Sequence, residues 1–192
     1  MCMPNNLFIM DFETTGLGVF DYTSFPIEIG IIVTDNKLNI QETYSSFIRP
    51  NNFNSNQTNW NEEELDAYNV HRIEYVEWCD KAISYNVCRQ HLMDLANKYT
   101  KFTGAIKKIK PIIISDNAVF ETACIRRIFE EDDDMPIDYR DLFHYSSWDT
   151  NIILTNIIGD PIPAHRALAD CGLLYKNLVR AHERLLWFNK SC

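Results

Sequence analysis

The chain has 192 residues, 46 % of them hydrophobic and 23 % charged, with a formal net charge of −9. That is room for one domain with a sizeable core and too little for two, and the acidic balance argues against a broad basic face that holds duplex DNA, although bound dications can offset carboxylates locally. The six cysteines (Cys2, Cys79, Cys88, Cys124, Cys171 and Cys192) include no C-x-x-C pair, and no secretory opening or apolar run of transmembrane length is visible, so the expectation is a cytoplasmic protein with free thiols and no zinc.

In chain order, residues 6–13 read as a buried strand. PIEIGIIVTD (26–35) reads as a second, ending in a DNK turn, and NIQETYSSFIRP (39–50) as a third with clearer alternation. Short connections make these an antiparallel meander. The Asn-rich stretch 51–64 reads as an exposed loop entering a short helix. Residues 87–102 place Val87, Leu92, Leu95, Ala96 and Tyr99 on one helical face. PIIISDN (111–117) reads as a short buried strand and 118–131 as a helix with Val119, Ile125, Ile128 and Phe129 inward. A fifth strand is expected around Ile137–Phe143, a helix around Trp148–Ile158, and a last helix from about Ala164 to Phe188. The expected fold is α/β, one domain over 1–192, with a mixed five-stranded sheet flanked by helices.

Three short stretches carry chemistry. In FIMDFETTGL (8–17), Asp11 and Glu13 point to the same side of a strand and Phe12 to the other. Two neighbouring carboxylates repel unless a cation joins them, and all-oxygen ligands suit Mg²⁺ or Mn²⁺; the plainer reading is a strand end with two solvated acids. In HRALAD (165–170), Pro161 and Pro163 keep the chain a loop just before His165. His165 then stands at a loop–helix junction, Asp170 projects from the first turns, and Ala167 and Ala169 permit close helix–sheet contact; an amphipathic helix start with a surface histidine is the alternative. In SDNAVFE (115–121), Asn117 or Asp116 can cap a helix, with Glu121 one turn in.

Taken together, D-x-E, then N-x-x-F-E, then H-x-x-x-x-D resemble the DEDDh family, proofreading-type 3′–5′ exonucleases of the ribonuclease H-like superfamily. DFETTGL is similar to its first motif, PIEIG to its second strand, FIRP to the end of its third, LDAYNVHRI (65–73) to its segment between sheet and helices, NAVFE to its second motif and HRALAD to its third. One position departs: Glu121 stands where the family usually has Asp, with Asp116, ahead of the helix, as the nearby substitute; Glu121 is the favoured one.

The resemblance implies a ribonuclease H-like fold and phosphodiester hydrolysis with two Mg²⁺ or Mn²⁺ ions, which can stabilise the attacking and the leaving oxygen. It makes Asp11 the bridging ligand, puts Glu13 and Asp170 beside the attacking water and Glu121 at the second ion, and makes His165 the general base. It places Phe12, Thr14, Leu17 and Asn117 at the substrate, with Leu17 packing on the terminal base. The expected partner is the 3′ end of single-stranded DNA or RNA, with a polymerase or other replication or repair protein as a further candidate and no membrane. Two other readings stand beside it: a nucleic-acid-binding module of the same fold with lapsed catalysis, and an endonuclease or integrase of the wider superfamily. IKKIK (106–110) and EEDDD (130–134) read as solvated segments. Arg166 reads equally as a phosphate contact or a surface residue, and the four tryptophans as packing residues.

Overall fold

The computed structural model describes residues 5–51, 53, 57–103, 107–130, 138–144, 146–150 and 165–190, with side chains of the last helix described as far as Glu183. Cys2, Cys192, Ile106, Ile137, Pro161, Pro163, residues 131–134 and the side chain of Trp187 lie outside the described residues.

Strands β1 (Leu7–Thr14), β2 (Pro26–Thr34) and β3 (Ile40–Arg49) form the expected antiparallel meander. The Asp35 carboxylate accepts the N–H groups of Lys37 and Asn39 and closes the turn between β2 and β3. There follow α1 (Glu62–His71), α2 (Tyr75–Lys81), β4 (Ile83–Ser84), α3 (Tyr85–Tyr99), β5 (Lys101–Thr103), β6 (Lys107–Ile109), β7 (Ile112–Ser115), α4 (Ala118–Glu130), β8 (Trp148–Asp149) and α5 (Ala167–Lys190). The mixed sheet has the order β4-β3-β2-β1-β7-β8, with β7 parallel to β1 and β8 parallel to β7. α1 begins at a capping box, Asn61 accepting from the Glu64 N–H while the Glu64 side chain accepts from Asn61.

Alternation along β1 explains the two cores. Phe8, Met10 and Phe12 face one side and pack with Tyr85, Cys88, Leu92 and Ala96 of α3 and Cys124, Ile125 and Ile128 of α4. Leu7 and Ile9 face the other and pack with Ile112, Ile114, Cys171 and Leu174. Every residue of β2 is buried, as expected of a strand covered on both faces. A third cluster joins Ile27 to Trp60, Ile73, Tyr75 and Trp78. The Trp78 indole donates to the carbonyls of Ile48 and Ile27 at 2.9 and 3.2 Å, so Trp60 and Trp78 are packing residues. Cys79, Cys88, Cys124 and Cys171 are free thiols. Among the described residues, no helix is long and apolar enough to cross a membrane.

Several expectations need correction. The sheet has six strands, because two-residue pieces at Ile83–Ser84 and Trp148–Asp149 extend its edges. The stretch expected to be a strand around 137–143 holds a 3-10 turn at Tyr139–Asp141. There the Asp138 carboxylate accepts the Arg140 N–H at 2.8 Å, and such local bonds compete with a ladder. Leu142 and Phe143 are buried as an anchor for that turn. Trp148 and Asp149 are strand, not the start of a helix; the remainder of that expected helix lies outside the described residues. The basic segment at Lys107–Ile109 is largely exposed, as expected, and pairs with Lys101–Thr103 in a separate hairpin. Both strands are too short and too exposed for alternation to reveal them.

Gly30 fixes where α5 meets the sheet. It pairs directly with Asp11, and a Cβ there would lie 2.4 Å from the carbonyl carbon of Ala167 and the nitrogen of Leu168. Those are backbone atoms that cannot swing away. Gly30→Ala should therefore push the start of α5 off the sheet, with a loss of about 1–3 kcal/mol typical of overpacking. Chemical denaturation should show it as a lowered midpoint, and an unchanged midpoint would mean that α5 accommodates the methyl group.

Candidate active site

The acidic residues converge at the C-terminal end of β1. Ligand oxygens of Asp11, Glu13 and Asp170 lie within 4.8 Å of one another, and so do those of Asp11, Asp116 and Glu121. Asp11 belongs to both groups. Asp11 and Glu13 share a face of β1, half-buried at the strand end. Asp170 comes from the first turn of α5, brought close by the glycine contact just described. Its Oδ2 accepts the Arg166 N–H at 3.2 Å. Glu121 comes from the first turn of α4 and is only 2 % exposed. Its Oε2 is buried with no hydrogen-bond partner.

His165 stands at the loop–helix junction expected for it, half-buried and in the left-handed region at φ 53°. Asn117 caps α4, accepting the Phe120 N–H at 3.3 Å. This settles the choice of cap against Asp116, which the structure places in the carboxylate cluster. Thr14 is buried, its hydroxyl donating to the Gly16 carbonyl at 2.7 Å. The loop after it is closed by Thr15, whose N–H donates to the Phe25 carbonyl and whose hydroxyl accepts the Phe25 N–H, both at 3.0 Å. Leu17, at the tip of this tied loop, is 85 % exposed.

Two residues of this region carried no expected role. Glu28 pairs across the sheet with Glu13 and is 4 % exposed. Arg166 grips it with two bonds, Nε to Oε2 at 3.1 Å and Nη2 to Oε1 at 2.9 Å, and the Ala167 N–H adds a third at 3.2 Å. Arg166, half-exposed, thus locks the His165–Asp170 segment to β2. The signal was present in PIEIGIIV, where one carboxylate in an apolar run must find a partner. His71 is buried, its Nδ1 accepting the Ile73 N–H at 2.9 Å. Burial and then the Arg166 charge push its pKa down to about 4, which makes it a neutral structural group.

Crowding raises the acids. Burial, then the charges of Glu13, Asp116, Asp170 and Glu28, hold Asp11 well above the usual carboxylate range. Burial, then Asp11, Asp116 and Glu13, do the same to Glu121. Glu13 is pushed to about 8 by burial, Asp170 and Glu28, against a lowering by Arg166. Asp116 is raised as well, first by loss of water around its carboxyl group. Such a cluster binds protons or cations. The donor set is all oxygen, and one buried oxygen has no partner, so the residues fit a hard dication such as Mg²⁺ or Mn²⁺.

A mixed sheet of this order, flanked by helices and with carboxylates from β1, β7's end, α4 and α5 gathered at the strand ends, is a ribonuclease H-like fold. The sequence model of the RNase_T family, described as "Exonuclease", matches residues 8–63, and the resemblance to the DEDDh exonucleases is borne out. No curated protein matches the sequence significantly. Among solved structures, the zinc-bound complex of E. coli exonuclease I with single-stranded DNA aligns with a TM-score of 0.64 at 17 % identity, over 95 % of this chain and 41 % of that one. E. coli exonuclease I with a dT13 oligonucleotide aligns at 0.66 and 18 %, over 96 % and 43 %. A product-bound exonuclease I aligns at 0.65 and 17 %, over 97 % and 46 %. The chain spans less than half the length of these structures, and at this identity the likeness is one of fold.

Proposed function

We propose that the chain is a single exonuclease domain that hydrolyses phosphodiester bonds at the 3′ end of single-stranded DNA or RNA and releases nucleoside 5′-monophosphates. The observation that carries this reading is the membership of Asp11 in both carboxylate groups, the arrangement needed to bridge two divalent ions. Asp11, Glu13 and Asp170 would hold one Mg²⁺ or Mn²⁺, and Asp11 and Glu121 the other. When bound, such ions supply charge stabilisation to the attacking and leaving oxygens.

The chain's own groups do the rest. His165, held at the junction that Arg166 ties to Glu28, takes the proton of the attacking water. Thr14, with the β1 backbone at Phe12 and the cap residue Asn117, flanks the terminal nucleotide. Leu17 offers an exposed apolar surface on a braced loop. Stacking of bases on such surfaces tolerates any sequence, which suits an enzyme that trims ends. The structurally similar E. coli exonuclease I forms a complex with single-stranded DNA, which supports a single-stranded substrate here. A cytoplasmic setting, and a polymerase or repair protein as partner, accord with this role.

The test is digestion of matched DNA and RNA oligomers, labelled at either end, with Mg²⁺ or Mn²⁺. We expect stepwise shortening from the 3′ end, release of 5′-mononucleotides, and sparing of circular and 3′-phosphorylated strands. Cutting of circles would favour an endonuclease, and tight binding without hydrolysis a binding module.

A further inference from the structure

Asp116 has no role in the reading just given, yet three observations place it in the second ion's shell. The first is register. β7 runs parallel to β1 with Ile9 beside Ile114, so two residues further along both strands Asp116 comes level with Asp11, on the same side of the sheet. The second is that the helix cap is already supplied by Asn117. The Asp116 oxygens, at the end of β7, come within 4.8 Å of those of Asp11 and Glu121. The third is Glu121 Oε2, fully buried with no partner. A buried carboxylate oxygen without a donor costs free energy unless a cation completes it.

We propose that Asp116 is a direct ligand of the second divalent cation, so that Asp11, Asp116 and Glu121 hold that ion before any nucleic acid is bound. The proposal rests on the reading of Asp11 as a shared ligand. Three carboxylates fill part of the six-oxygen shell that Mg²⁺ or Mn²⁺ takes and leave positions for water and a substrate phosphate. The extra ligand also gives a reason for the long arm at position 121. Asp116 would hold the ion from the end of β7, and the longer arm of Glu121 would reach it from α4.

The test is Mn²⁺ uptake by the full chain without substrate, followed by the electron paramagnetic resonance signal of free Mn²⁺. The wild type should take up two ions. Asp116→Asn and Asp116→Ala should keep one and weaken the other at least tenfold, as should Glu121→Gln, with thermal melts confirming folded protein. Asp116 is exposed, so its replacement leaves the core untouched. Wild-type affinities in both Asp116 variants overturn the proposal, and so does a wild type that takes up its second ion only when an oligonucleotide is added. The two readings fail separately. Two ions bound without hydrolysis would remove the exonuclease activity and leave this site standing. Hydrolysis with unchanged uptake by Asp116→Asn would do the reverse.

Discussion

Asp11→Asn is expected to lower turnover on a 3′-labelled single strand by roughly 10³–10⁴-fold while raising the melting temperature of the metal-free protein. The two effects have one cause. Asp11 is the residue shared by both carboxylate groups, so its loss removes a ligand from each ion at once. Bound dications contribute several kcal/mol to charge stabilisation in such reactions, and each 1.36 kcal/mol is tenfold in rate. Without metal the same carboxylate is a burden, since burial and four neighbouring acids oppose its ionisation. The amide keeps the shape and removes the repulsion. Single-turnover rates with saturating Mn²⁺ and melts in chelator check the two halves. Retention of a tenth or more of the wild-type rate would sink the bridging role.

The parts of this site that were legible in the sequence are those whose neighbours along the chain already expose them. Asp11 and Glu13 sit at the end of an apolar strand, two residues apart, and the pleat alone puts them on one side. Asp170 follows a stretch of sequence with two prolines, so its place near a helix start was readable. The missing parts are contacts between distant segments. Nothing near Gly30 announces that the backbone of Ala167 will lie against it. Glu28 and Arg166 are 138 residues apart, and only the buried charge on β2 hinted that a partner was needed. Asp116 looked like a cap because Asp and Asn both cap helices. Which of the two does so depends on where β7 stops, and that is set by pairing with β1. The 3-10 turn at Tyr139–Asp141 was missed for a related reason. Its apolar neighbours are buried by the core beneath them, and burial alone does not distinguish a strand from an anchored turn.

The metal-free protein should become less stable as pH rises from about 4.5 to 8, and saturating Mg²⁺ or Mn²⁺ should remove most of that slope. The sign follows from Glu13, whose pKa moves from an ordinary 4.5 to about 8 in the folded chain. Between those values the folded state holds a proton that the unfolded state has released, so stability falls as pH rises. It is fully present below the lower value and lost through the upper one. Asp11, Glu121 and Asp116 are raised in the same sense. The exposed acids Asp21, Asp35 and Glu42 are lowered by side-chain hydrogen bonds to Thr23, Asn39 and Lys98 respectively. They act oppositely, but only at lower pH and through well-solvated contacts worth little. With about 1.36 kcal/mol for each pH unit of that window and about 2–4 °C of melting temperature per kcal/mol for a chain of this size, the fall should be on the order of 10 °C. Glu13→Gln should flatten part of it, because the amide has no proton to lose. Bound dications replace the protons as the countercharge, so the metal-loaded protein should hold its melting temperature across the window. A metal-free melting temperature that rises with pH would show that the cluster is hydrated enough to ionise freely, and the case for cations as part of this fold's end of β1 would go with it.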